Sequence, residues 1–287
     1  MRLCQFGQNR LGIVSGGDVL EVTSALGALP PITYPLPIHD RLVAHLAELR
    51  PKIEAAARNA APQPLAGVAL KSPVANPGKI IAAPVNYRKH FEEVRADPQI
   101  HFNNRIAEIQ RAGLFLKAPC SLIGPGDPVT IQQPERRTDH EIELVAVIGR
   151  EGRDISREDA PGYVAGYTIG LDMTVRGPEE RSLRKSLDTF TVVGPWLVTS
   201  DELGDPAALS LELTVNGKPR QKANTRDLIM GVPELIAFAS SFYTLMPGDL
   251  LFTGTPEGVG PVVPGDLIRA SIDRIGTMEV RVRGVPR

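Results

Sequence analysis

The chain has 287 residues, with Lys plus Arg at 32, Asp plus Glu at 33 and a formal net charge of -1. Charge this balanced leaves no basic footprint for nucleic acid or an anionic membrane, and no apolar run approaches the roughly 20 residues of a membrane span. Two cysteines, Cys4 and Cys120, are too few for a disulfide framework or a cysteine-rich metal site, and the start MRLCQFGQNR lacks an apolar export signal, so the sequence predicts a cytoplasmic protein.

In chain order, residues 3–22 read as short strands on either side of Ser15-Gly16-Gly17-Asp18, a hairpin signal. Leu42, Leu46, Leu49 and Ile53 recur at helical spacing and predict a helix over 39–59, interrupted at Pro51. The stretch 61–78 is spaced by prolines. A boundary placed there gives a small N-terminal α+β domain over 1–72 and a catalytic domain over 73–287. In the larger part Pro125-Gly126-Asp127, Pro247-Gly248-Asp249 and Pro264-Gly265-Asp266 each precede a β-rich run. Proline presets φ and glycine supplies a positive φ, so three type II turns are predicted. Helices are few, within 86–112 and over 233–244. This pattern predicts an α+β chain, mainly β, with a rolled or sandwiched sheet rather than βαβ units.

Six segments carry chemistry. In TDHEIELVAVIGR, residues 138–150, Glu141 and Glu143 share a face with Val145 and Val147, and the strand is apolar on both faces as it runs on. Two carboxylates at the end of a buried strand repel each other and need a cation. Asp172, ending the run VAGYTIGLD, is a third. Three carboxylates without Cys or His favour a hard divalent ion, Mg2+ or Mn2+ before Ca2+. Spacing leaves a second reading open, in which they pair with Arg176 or Lys185. In KIIAAPVNYRKHFEEV, residues 79–94, His90 and Glu93 lie three apart on one helix face. They are either a solvated pair or a carboxylate orienting an imidazole that takes a proton from water. Residues 176–199 bring Arg176, Arg181, Arg184 and Lys185 near Asp172, as a surface loop or as a grip on a substrate carboxylate. Lys117, alone in GLFLKAPCS, is a site cation or a snorkelling surface lysine. In TGTPEGVG, residues 253–260, Thr255 accompanies close backbone approach, without the phosphate-loop pattern.

In this order KIIAAPVNYRKHFEEV, LFLKAPCSLIGPGDPV, HEIELVAVIGR, VAGYTIGLDMTVR, KSLDTFTVVGPWLVT, LELTVNGKPRQ and PGDLLFTGTPEGVG resemble the fumarylacetoacetate hydrolase family, nearest its acylpyruvate hydrolase and diene-dioate isomerase branch. The resemblance implies a mixed β-sandwich roll, usually a homodimer, with Mg2+ on Glu141, Glu143 and Asp172. It implies that His90 and Glu93, on a mobile lid, activate water. Arg176 and Lys185 match the cations beside the metal, and Thr255 the pocket threonine; Lys117 falls in a matching stretch as a further substrate-binding cation. The implied activity is metal-dependent hydrolysis of the carbon–carbon bond of a β-diketo acid such as an acylpyruvate, in catabolism of aromatic or sugar-acid compounds. Isomerisation or decarboxylation through the same enolate, or metal and oxo-acid binding without turnover, are the alternatives. The chain departs from the pattern at Gly177, Glu179 and Arg184, and in a longer stretch between His90 and Lys117. A carboxylate at 179 is expected to repel an anionic substrate group.

Overall fold

The strand Ile142–Ile148 is buried along its whole length, and its alternating side chains enter two different cores. Ile142, Leu144, Ala146 and Ile148 join a core with Leu211, Ile268 and Val280 of a second sheet. Val145 and Val147 pack instead with Leu49 and Ile53 of an N-terminal helix. A strand apolar on both faces is thus the middle layer of the molecule.

The computed structural model describes residues 1–102 and 107–285. Among these, the central strand lies in a twelve-stranded mixed sheet. Its antiparallel neighbours are Val164–Asp172 and Leu250–Phe252, and Ile80–Ala82 runs parallel to the latter. Beyond Val164–Asp172 comes Thr191–Thr199, whose other edge pairs with the N-terminal strand Arg2–Phe6, Leu3 opposite Leu197. A five-stranded sheet that includes Ser210–Val215, Leu267–Ile272 and Gly276–Gly284 covers one face. The helix Leu46–Asn59 covers the other. This is the mixed, sheet-rich α+β class predicted from the sequence.

The Gly16-Gly17 hairpin joins Arg10–Ser15 to Asp18–Glu21. The break predicted at Pro51 falls elsewhere: the helix runs through Pro51 from Leu46 to Asn59, and the chain bends at His45 after a short turn over Arg41–Ala44. One lost backbone bond is outweighed by the buried stripe of Leu46, Leu49 and Ile53. Of the three Pro-Gly-Asp turns, Gly248 and Gly265 take the predicted positive φ, at 87° and 101°, and Gly126 does not. Gly126 is required instead for close approach: a Cβ there would meet the Leu70 carbonyl at 2.6 Å. The helix predicted over 233–244 spans Val232–Phe242. Within 86–112 lie Arg88–Ala96, Pro98–His101 and Ile109–Ala112; this long stretch includes 103–106, outside the described residues.

Candidate functional site

The central strand and its antiparallel neighbour bring the three predicted carboxylates together. Glu141 sits at the break between Thr138–His140 and Ile142–Ile148, Glu143 is the second residue of the latter, and Asp172 ends the strand opposite. The Asp172 amide donates to the Glu141 carbonyl at 2.9 Å, fixing the register at the chain's crossing. One carboxylate oxygen from each residue lies within 4.8 Å of the others, all three side chains buried.

Cations surround this cluster unevenly. The Lys185 ammonium donates to Glu141 Oε2 at 2.7 Å, Asp172 Oδ2 at 2.6 Å and Thr174 Oγ1 at 2.7 Å. Arg176 donates through Nε to Asp139 Oδ2 and through Nη2 to Glu141 Oε1, both at 2.8 Å. Lys117 donates to Asp172 and to the carbonyls of Lys185 and Phe190. It is no surface lysine, since its side chain is 0% exposed, and it lies behind Asp172 outside the cavity wall. Of the three, Glu143 alone has no cation at salt-bridge distance among the described residues; its Oε2 accepts from the Gly254 amide at 2.6 Å. Burial pushes the Glu143 carboxyl well above its ordinary range, and Asp172 adds to the shift. Burial opposes ionisation of Glu141 too, yet Lys185 and Arg176 outweigh it and hold that carboxyl below its usual range. The pairing reading is met in part: Glu141 pairs with Arg176 and Lys185, Asp172 with Lys185 and Lys117, and Glu143 with neither, while the three residues still present a three-oxygen cluster. A hard divalent cation fits that donor set, because it would supply the positive charge Glu143 lacks.

The same cavity is lined by His90, 4% exposed, on the helix Arg88–Ala96. Its Nδ1 lies 2.7 Å from Glu93 Oε2, and Glu93 Oε1 accepts from the Gly258 amide at 2.9 Å. His90 and Thr255 both line the cavity with the three carboxylates, Arg176 and Lys185, whereas Glu93 stands behind His90. Thr255 Oγ1 accepts from Gln221 Nε2 at 2.8 Å. The turn into the helix is held by Asn86, which donates to the carbonyls of Met230 and Thr253 at 2.8 Å. Beside it Val85, in the cavity wall, adopts φ 38°, a conformation that β-branched residues rarely take.

Reading from sequence missed Asp139, Gln221 and Asn86. The Asp139 signal was available, two residues before Glu141, but its partner Arg176 lies 37 residues away. Glu179 does not repel a ligand as expected: it pairs in two contacts with Arg136, at 3.1 and 2.7 Å, and is not part of the cavity wall. Gly177 makes room for this pair, since a Cβ there would meet Arg136 Nη2 at 1.9 Å.

Residues 79–283 match the family model described as fumarylacetoacetate (FAA) hydrolase C-terminal. Maleylpyruvate hydrolase of Aquipseudomonas alcaligenes is 56% identical over 289 residues, covering 99% of this chain and 100% of its own. The crystal structure of maleylpyruvate hydrolase from Sphingobium sp. SYK-6, in complex with manganese (II) ion and pyruvate, superposes with a TM-score of 0.84 at 46% identity, covering 99% of each chain. The 2-hydroxyhepta-2,4-diene-1,7-dioate isomerase of Mycobacterium marinum gives a TM-score of 0.71 at 28% identity, covering 100% of both. The match of order, spacing and architecture extends beyond the site to nearly the whole length: this chain belongs to the fumarylacetoacetate hydrolase family.

Proposed function

We propose that the protein is a divalent-metal-dependent hydrolase that cleaves the carbon–carbon bond of acylpyruvates, β-diketo acids arising in the breakdown of aromatic compounds. The observation that carries this reading is one cavity lined both by three buried carboxylates and by a carboxylate-oriented histidine. The A. alcaligenes and Sphingobium relatives, named for maleylpyruvate, support it, and the latter's manganese and pyruvate favour a metal-bound 2-oxo acid here.

Glu141, Glu143 and Asp172 would hold Mg2+ or Mn2+, which when bound supplies Lewis acidity to the 2-oxo acid and to the enolate left by bond cleavage. Lys117 keeps Asp172 in place from behind, and Lys185 and Arg176 fix Glu141. With Nδ1 turned to Glu93, His90 has Nε2 left to take a proton from a water that attacks the distal carbonyl. Glu93 holds the imidazole in that orientation and stabilises the imidazolium. Thr255 lines the substrate cavity. The retained His90–Glu93 pair favours hydrolysis over the water-free isomerisation suggested by the M. marinum relative. The division at 72/73 belongs to this reading, with every named residue in the 73–287 part. A cytoplasmic homodimer completes it, on cysteine usage and the family resemblance.

The test follows the ultraviolet absorbance of an acylpyruvate enol with and without Mg2+. Metal-dependent loss of the chromophore with pyruvate appearing is expected, and the His90→Ala variant should lose it by about a hundredfold or more. Turnover by wild-type protein stripped of metal, or full turnover by His90→Ala, would overturn the mechanism.

A further inference from the structure

Four basic side chains line the cavity, Arg176, Arg181, Arg184 and Lys185, and they are not equivalent. Lys185 has its three donors on Glu141, Asp172 and Thr174, and Arg176 is neutralised by Asp139 and Glu141. The arginines at 181 and 184 have no carboxylate within salt-bridge distance among the described residues. Arg184, 8% exposed, donates only to the carbonyls of Glu179 and Val175. Arg181 makes no hydrogen bond among the described residues; its guanidinium lies 5.5 Å from the centre of the Phe115 ring. They stand three apart on the helix Arg181–Lys185, spacing that puts two like charges on one side.

An arginine cannot shed its proton in a protein, so enclosing Arg184 fully and Arg181 partly with no carboxylate in contact costs free energy. Burial, and for Arg184 also the neighbouring Arg176 and Arg181, weakens their hold on the proton. A pair of guanidinium groups facing a cavity, with donors to spare, matches an incoming carboxylate.

We propose that Arg181 and Arg184 bind a second, distal carboxylate of the substrate, so that the enzyme acts on dicarboxylic acylpyruvates in preference to those with a neutral acyl end. This rests on the proposed reading, in which the 2-oxo acid end occupies the carboxylate cluster. The arginines then set specificity and take no part in bond cleavage. Glu179, paired with Arg136, stays out of the cavity wall and so does not occupy their anion site.

The experiment compares two uncleavable ligands of equal chain length, 2-oxoheptanedioate and 2-oxoheptanoate, by calorimetric titration of Mn2+-loaded protein. A charge-assisted contact should make the diacid bind roughly 10- to 100-fold more tightly in the wild type. In Arg181→Met, and further in Arg181→Met with Arg184→Met, that ratio should fall towards one while the monoacid affinity stays within about twofold. The Arg181→Lys variant should keep part of the ratio, and removing one of two like charges should not lower Tm. A wild-type ratio near one, a ratio unchanged in the variants, or equal weakening of both acids would overturn the assignment. Equal weakening would mean that the arginines hold the 2-oxo acid end. Selective diacid binding without cleavage of any acylpyruvate would sink the hydrolase reading and leave the pocket standing; no binding of either acid would sink both.

Discussion

Lys117 reaches the site from behind. Its ammonium is shared among Asp172 and the carbonyls of Lys185 and Phe190, so one side chain ties the end of the strand Val164–Asp172 to the segment carrying Lys185. Burial weakens its hold on the proton, and Asp172 opposes that. Removing it would take a donor from the carbonyls of Lys185 and Phe190, the latter keeping the Met173 amide, and leave Asp172 with Lys185 as its remaining ammonium. Breaking a buried ion pair by deleting one partner costs roughly 3–5 kcal/mol, so Lys117→Met should lower the unfolding free energy by that order in urea titration. A change below about 1 kcal/mol, the range of an exposed pair, would remove this structural role. A lone charge in the apolar run GLFLKAPCS reads from sequence as a site cation or a snorkelling lysine, and the structure gives it a buried partner. That partner was not legible, because Asp172 lies 55 residues on. Glu179 has the same lesson with opposite sign: its type suggested repulsion in the pocket, and an arginine 43 residues earlier turns it away.

At the scale of the element, the helix Arg88–Ala96 delivers His90, and the loop after Leu250–Phe252 steadies it through the Gly258 amide. The i, i+3 spacing made the His90–Glu93 pair legible, as alternation did for Glu141 and Glu143. The Gly258 contact was not legible, since it spans 165 residues. Glu93 accepts on both oxygens only as a carboxylate. In Glu93→Gln the side-chain oxygen is still needed by the Gly258 amide, which aims the amide nitrogen, a donor, at His90 Nδ1. The imidazole then carries its proton on Nε2, the atom proposed to act as base. The expected result is a fall in kcat of about a hundredfold with KM within about threefold, as for loss of a general base. Tm should hardly move. A kcat near wild type would show that the tautomer set by Glu93 is immaterial. Turns and breakers were read less well than faces: Pro51 sits inside a helix and Gly126 keeps a negative φ. Packing of Leu46, Leu49 and Ile53 decided the first, and the approach of Leu70 the second. Neither constraint is local in sequence.

Over the whole molecule, the N-terminal strand Arg2–Phe6 is hydrogen-bonded into the sheet that carries the carboxylates, and Cys4 on it, 0% exposed, shares a core with Leu144. Composition drew a boundary at 72/73, and the pairing of Leu3 with Leu197 crosses it. Whether 1–72 opens by itself can be read from this thiol. Burial, only partly opposed by backbone hydrogen bonds, pushes the Cys4 thiol from 9.0 up to about 12, so native Cys4 is protonated and enclosed. Below pH 9 the thiol is neutral folded and unfolded, and adds nothing to the pH dependence. Between 9 and 12 the unfolded chain ionises and the folded chain does not, so stability is lost as pH rises, by about 1.4 kcal/mol per unit from this residue. Urea titrations between pH 8 and 11 should therefore fall more steeply for wild type than for Cys4→Ala. At pH 8 a thiol reagent should modify the exposed Cys120 at once, and Cys4 only at a rate that climbs with urea in step with global unfolding. A hairpin that detached on its own would instead expose Cys4 at a urea-independent rate far above global unfolding. Protection equal to that of the whole sheet would mean that the strand pairing, not the compositional boundary, sets the cooperative unit, and that the carboxylate cluster is braced from the first residues of the chain.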